Sequence, residues 1–228
     1  MLKKILSGLN IALLLIILFS FIVRVVGIGK YPVGFTQDEA SFGYDAYSLL
    51  KTGKDQWGVS FPLVLRSFGD FKMPLYTYLT IPSVSIFGLN EFATRLPNAV
   101  FGVMAVLATY LMVLEYSKDK KLALVSALFL ACSPWHISLS RGAFEANLTT
   151  FFIPFGIWSY LKGLKQNNWM TIAAVTFGLN LFSYHSARIF TILIIPALVV
   201  STYKGASLQG VKSNIKDIWF RLLFLLCL

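Results

Sequence analysis

The sequence predicts an all-α fold: a polytopic bundle of transmembrane helices with interfacial helices in a long first outer loop. Three observations predict it. Of 228 residues, 57% are hydrophobic and only 13% charged, against roughly 25% charged in a soluble domain. Apolar runs of membrane-spanning length recur along the whole chain instead of forming one core. The lysines gather in alternate loops, the asymmetry that orients membrane proteins.

In order along the chain, the first apolar run is 5–26, preceded by Lys3 and Lys4. It is too long for the apolar part of a cleaved signal, and no small-residue cleavage pattern follows, so a retained anchor is expected. Residues 27–95 form a polar and aromatic segment. Further spans are expected at 97–114, 122–139, 148–164, 169–184 and 189–203, the last three short for a full crossing. The run 218–228 has eleven residues, too few at 1.5 Å per residue for a hydrocarbon core of about 30 Å. The expectation is about six spans plus an incomplete seventh, with residues 1–228 the N-terminal portion of a longer protein.

With the N-terminus inside, one set of short loops carries Lys118, Lys120, Lys121, Lys162, Lys165, Lys204, Lys212 and Lys216, while the opposite set carries only Arg141 and Arg188. This distribution accounts for most of the formal charge of +10 without invoking nucleic acid. It places the first outer loop, 27–95, on the outer face with the turns 133–147 and 184–188. Cys132 and Cys227 both lie in apolar stretches and form no disulfide framework or metal motif.

The outer loop opens on a helix near Thr36, with Phe42, Ala46, Leu49 and Leu50 on one side, a spacing suited to the membrane surface. Thr36 and Glu39 fit a capping box, which favours a structural use for Glu39. Asp38 has no such duty and sits at the positive end of the helix, where a cap or solvated acid is the competing reading. Gly53 suits the C-cap. Gly53-Lys54 is not a phosphate loop, because Ser48 stands where the first glycine is needed and Asp55 replaces Ser/Thr. Turn chemistry at 67–74 leads into a second apolar stretch, 74–87, short enough to be interfacial or re-entrant. Lys72 stands just before it, where snorkelling to the interface competes with any task in a site.

The second outer turn carries His136, Arg141, Glu145 and Asn147. Arg141 and Glu145 are spaced to pair on a helix, but an acid entering a span is costly and usually has a partner or a task. Asn147-Leu148-Thr149 matches a glycosylation sequon at the mouth of an apolar run, where it carries little weight. The third turn is Tyr184-His185-Ser186-Ala187-Arg188. His136 and His185 with Glu145 have no metal-ligand spacing, and a metal requirement is left open.

Three runs carry a resemblance: Gln37-Asp38-Glu39-Ala40, Phe71-Lys72-Met73-Pro74-Leu75-Tyr76, and residues 87–97 ending in Arg95-Leu96-Pro97. With Ser140-Arg141 and Glu145, and Tyr184-His185 and Arg188, this ordered set resembles the dolichyl-phosphate-mannose protein mannosyltransferase and lipid A aminoarabinose transferase group, which has the GT-C membrane glycosyltransferase fold. The resemblance implies a polyprenyl-phosphate-linked sugar donor, no cofactor, and transfer to a protein, lipid or glycan hydroxyl outside the cytoplasm, at the plasma membrane. It matches Asp38 to the family's base, Lys72 to its contact with the donor phosphate, and Glu145 to its second acid. Arg188 falls with Lys72 on the donor side, and Glu39, Arg141, Tyr184 and His185 fall in supporting places. Met73 departs from the family's more frequent Lys-Pro-Pro.

The chemistry is consistent on its own terms. A sugar on a lipid phosphate already has a good leaving group, which needs cations more than a proton donor. The acceptor hydroxyl needs one carboxylate to take its proton. One base and a cationic clamp therefore suffice, with inversion at the anomeric carbon, unlike the paired carboxylates of glycosidases. A transporter would instead show repeated halves and charges well inside its spans, and neither is evident. An inactive transferase fragment or a non-catalytic membrane scaffold remains the alternative.

Overall fold

The computed structural model describes the backbone of residues 11–208 and the side chains of residues 11–202. Lys3, Lys4, Lys212, Lys216, Cys227, the side chain of Lys204, the start of the first expected span and the run 218–228 lie outside those residues. The elements are α1 (Ile11–Val25), α2 (Gln37–Thr52), β1 (Leu65–Ser67), β2 (Asp70–Lys72), α3 (Leu75–Phe87), α4 (Glu91–Ser117), α5 (Lys120–Cys132), α6 (Pro134–Arg141), a 3-10 turn (Glu145–Asn147), α7 (Leu148–Gly163), α8 (Asn167–Asn180) and α9 (His185–Leu208). The all-α membrane bundle is therefore present. Its helices α4 and α9 are each long and apolar enough to cross a bilayer.

The expected span 122–139 is a broken one: α5 and α6 together have spanning length and composition but meet at a bend of 57°. Pro134 is the physical cause. It has no N–H to offer the Leu130 carbonyl, and its ring crowds that same oxygen. The buried Arg24 of α1 supplies donors instead, to Leu130 O and Ala131 O, both at 3.3 Å.

Helix α4 is the hub, packed against α1, α2, α3, α5, α6 and α7. Its contact with α5 is made by Ala123, Ala127 and Ala131, all buried against Val106, Tyr110 and Leu13. Small residues every fourth position let two helices approach closely, which matters where lipid gives no hydrophobic drive for helix pairing. A second cluster joins α2, α3, α4 and α7 through Phe42, Tyr76, Ala105, Leu148 and Phe151. At one end of the bundle, Glu115 pairs with Lys118 and with Lys165. The polar segments 27–36, 53–74, 133–147 and 181–188 meet at the other end.

Helix α2 begins as the capping box requires. Thr36 Oγ1 accepts from the Glu39 N–H at 3.2 Å, and Glu39 Oε2 accepts from the Thr36 N–H at 3.0 Å. It ends at Gly53, which takes the left-handed conformation (φ 69°) and donates to Leu49 O. Phe42, Ala46 and Leu49 are buried as the spacing predicts, whereas Leu50 is exposed. One element departs from an all-helical loop. Residues 65–72 form an antiparallel hairpin with Leu65 opposite Lys72 and Ser67 opposite Asp70. Its two tip residues, Phe68 and Gly69, both have positive φ (47° and 86°), the turn geometry that follows the natural strand twist.

Candidate functional site

Asp38 stands in the first turn of α2 with its side chain 64% exposed, and Lys72, at the end of β2, is nearly covered at 8%. The lysine Nζ lies 2.7 Å from Asp38 Oδ1, and 4.5 Å from the centre of the Phe42 ring. An open carboxylate thus rests on a cation held from behind by an aromatic wall, and the positive end of α2 adds to the local field.

Two further segments close on this pair. In the first, Arg188 lies on the residue after Lys72, its Nη2 3.0 Å from Met73 Sδ, and its Nε donates to Leu181 O. His185 Nε2 donates to Phe71 O at 2.7 Å, and the Leu75 N–H donates to Phe182 O. Tyr184 turns the chain there, accepting from the Ala187 N–H. In the second, Glu145 enters from the 3-10 turn before α7. One carboxyl oxygen is buried without a hydrogen-bond partner. Burial lifts its pKa to about 8; Lys72 pulls the other way, and Asp38 and Asp70 add to the rise. Asp38, Lys72, Glu145, His185 and Arg188, spread over most of the chain, therefore share one end of the bundle.

The same geometry gives Glu39 and Arg141 different employment. Glu39 is buried and takes Arg95 in two contacts, Nε to Oε1 at 2.7 Å and Nη2 to Oε2 at 3.0 Å, while the Ala143 N–H also donates to Oε1. Arg95 further donates to the carbonyls of Ile28, Pro32 and Gly34. Burial raises the Glu39 pKa, but the hydrogen bonds from Arg95, Thr36 and Ala143 outweigh it and hold the carboxyl below its ordinary value. Arg141 does not pair with Glu145. The backbone leaves helical geometry at Gly142 and Phe144, and the guanidinium instead donates to the carbonyls of Val23, Val26 and Tyr31. It closes the end of α1. Asn147 is fully buried and donates to Asn98, which in turn holds Leu139 O and Gly142 O. The sequon is therefore a structural asparagine beneath the Glu145 turn.

Sequence reasoning missed two groups. Arg24 is a charge inside an apolar run, the signal that should have flagged it. It is fully buried and contacts Ser20 Oγ and His136 Nδ1 at 2.9 and 2.8 Å. Because arginine can only donate, His136 Nδ1 accepts, and its Nε2–H donates to Thr150 Oγ1 at 3.1 Å. His136 is thereby part of the bundle and remote in role from His185. Asp45 is the other: it is buried and accepts both the backbone and side-chain N–H groups of Gln56, a loop contact with no sequence signature. Among the described residues, no group of three His, Cys, Asp or Glu side chains is placed to hold a metal ion.

Glu145 makes a pH test available. Its folded pKa of about 8 lies above the ordinary 4.5, so the folded state holds more protons than the unfolded between those values and loses stability as pH rises through them. Thermal stability is expected to fall from pH 5 to pH 8, and Glu145→Gln should flatten that slope. An unchanged slope in the variant would assign the titration to another group. Glu39 acts in the opposite window, its contribution being lost only as pH falls below the ordinary carboxylate range.

Comparison with known proteins gives a consistent set. A family model described as dolichyl-phosphate-mannose-protein mannosyltransferase matches residues 72–228, a span that includes Lys72 and Glu145 but not Asp38. The chain is 25% identical over 195 residues to the putative mannosyltransferase YkcB of Bacillus subtilis, covering 84% of this chain and 26% of that protein. It is 25% identical over 165 residues to an uncharacterized Aquifex aeolicus protein, covering 71% and 32% respectively. The oligosaccharyltransferase AglB of Archaeoglobus fulgidus, solved with an inhibitory peptide and a dolichol-phosphate, superposes with a TM-score of 0.67 at 19% identity, over 92% of this chain and 27% of its own. A structure of an oligosaccharyltransferase from the same organism with Zn and sulfate gives 0.65 at 19% identity, over 82% of this chain and 26% of its own. The structural matches establish the fold. The chain spans about a quarter to a third of the length of these relatives.

Proposed function

The chain belongs to the dolichyl-phosphate-mannose-protein mannosyltransferase family, and from that premise we propose that it serves a membrane glycosyltransferase that moves a sugar from a polyprenyl-phosphate to an acceptor hydroxyl. The observation that carries this reading is the contact between the open Asp38 carboxylate and the covered Lys72 ammonium at 2.7 Å, with Arg188 on the adjoining residue. The dolichol-phosphate solved with the structurally similar AglB supports a lipid-linked donor. On this reading the site lies on the extracytoplasmic face of the plasma membrane, with the lysine-rich end of the bundle in the cytoplasm.

The donor slides in from the bilayer, and its phosphate takes Lys72 and Arg188 as counter-charges. Drawing the ammonium toward phosphate loosens its hold on Asp38, which becomes free to take the acceptor proton. The acceptor oxygen then bonds to the anomeric carbon as the sugar–phosphate bond breaks, with inversion. The electron pair of that bond leaves with the phosphate, where the two cations stabilise the developing charge. Glu145, neutral near pH 7 because of burial, can donate a hydrogen bond to a phosphate oxygen without repelling it. Protein, lipid and glycan hydroxyls all satisfy this chemistry.

The test is Lys72→Ala, assayed in proteoliposomes with a polyprenyl-phosphate sugar. The apparent donor requirement should rise on the order of tenfold or more, because a charge-assisted phosphate contact is worth about 1.5–3 kcal/mol. The protein should still insert. Unchanged donor dependence would make Lys72 an interfacial anchor.

A further inference from the structure

We propose that segment 57–71, the loop and hairpin that precede Lys72, is inserted into the bilayer interface at the site end of the molecule. Its surface is more apolar than that of a water-facing loop. The charged Asp55 is buried and spends its carboxylate on the N–H groups of Trp57 and Val59. Asp45, beneath the loop, is buried on Gln56. Most of the side chains turned outward are apolar: Phe61 and Phe68 are each 69% exposed and Leu63 70%, with Trp57, Val59 and Phe71 also more than half exposed, beside the exposed polar groups of Ser60, Arg66 and Asp70. Water-facing surfaces rarely gather so many large apolar groups. Carboxylates buried on backbone N–H groups and large aromatic and aliphatic groups turned outward, with a few charges among them, are the arrangement that a membrane interface selects.

The backbone makes the same point at two positions. Phe61 and Phe68 have φ of 44° and 47°, a left-handed region where an aromatic residue is costly and glycine, asparagine or aspartate would be unstrained. A side chain kept there at a cost has a use for its exposure. The tip of the hairpin presents Phe68 outward from such a position.

The occupant is the membrane because of where the segment is pinned. The Phe71 carbonyl takes the hydrogen bond of His185, the first residue of the spanning helix α9. Pro62 O accepts from Tyr78 Oη at 2.9 Å, on the first turns of the apolar helix α3. The segment is thus tied at its last residue to the start of a helix of spanning length, and at Pro62 to the start of the apolar helix α3. The charges on and beside it suit headgroups: the Arg66 guanidinium lies 4.9 Å over the Trp57 ring, whose indole N–H donates to Arg66 O, Lys51 and Lys54 are exposed nearby, and Asp70 is the one exposed acid of the segment. Tryptophan and arginine together at one depth are characteristic of the headgroup layer. Insertion there also sets the depth of Lys72, which ends the second strand.

The experiment measures depth and needs no activity, so its outcome is separate from that of the transferase reading. In the full chain, Cys132 and Cys227 are replaced by serine and a single nitroxide is placed at Phe68→Cys, with Leu63→Cys and Phe71→Cys as independent sites should one variant misfold. The protein is reconstituted in nanodiscs of neutral and anionic phospholipid. Power saturation compares collision with oxygen and with a water-soluble nickel chelate, using position 120 at the opposite end as the water-exposed reference. Insertion predicts an oxygen-to-nickel ratio on the order of tenfold above that reference, as for a side chain below the headgroups. A ratio equal to the reference would make the segment a water-facing loop and overturn the proposal. A label immobilised and shielded from both reagents would mean that protein covers the segment, which overturns it equally.

Discussion

Asp38→Asn is expected to lower sugar transfer by about 10²–10⁴-fold, the range over which a general base contributes. The substitution keeps the size of the side chain and an oxygen for Lys72 Nζ, now 2.7 Å away, but cannot take a proton near neutral pH. Asp38 itself is largely exposed, and the asparagine oxygen can still accept from the covered Lys72 ammonium, so the fold should be kept. Expression, insertion and donor binding should therefore match the parent. The measurement is transfer from a polyprenyl-phosphate sugar, beside donor binding, in proteoliposomes. A variant with parental turnover would place the base elsewhere and remove the centre of the proposed mechanism.

Glu39→Gln is expected to damage the fold, and by more than its capping role implies. Loss of a cap alone costs about 1 kcal/mol. Here the carboxylate also holds Arg95 at two oxygens and the Ala143 N–H, and breaking a buried pair from one side costs about 3–5 kcal/mol. The variant should aggregate at clearly lower temperature in a detergent melting assay. Replacing Glu39 and Arg95 together by methionine should recover part of the loss, since no charge is then left buried alone. A single variant that melts with the parent would show that the pair contributes little. The contrast with Asp38 is the useful feature: adjacent acids, one whose loss should spare the fold, the other whose loss should not.

How much of this was legible in the sequence differs by element. The spans expected at 97–114 and 189–203 were legible, and helices of crossing length stand there, because a bilayer imposes a length and a composition on any helix that crosses it. The helix at 37–52 was legible because its start and stop are local chemistry: Thr36 with Glu39, and Gly53. The break at Pro134 was available but unused, since proline's missing N–H falls inside a run of spanning length. The hairpin at 65–72 was not, because three-residue strands carry too little alternation to register.

The site divides along the same line. Residue type, spacing and resemblance nominated Asp38, Lys72, Glu145 and Arg188, and the helix-capping pattern by itself separated Glu39 from Asp38. Partnership across long stretches of chain was decided by packing alone. Nothing within four residues of Glu39 announces Arg95, and nothing near Arg141 announces the carbonyls of Val23 and Val26. The helical spacing of Arg141 and Glu145 suggested a pair that the extended backbone at Gly142 prevents. Local sequence determines a cap or a span because the interacting groups lie within a turn or within one solvent. An ion pair between α2 and α4 exists only once both helices are seated against each other, and only that seating decides which carboxylate is buried with its partner and which, like Asp38, stays exposed.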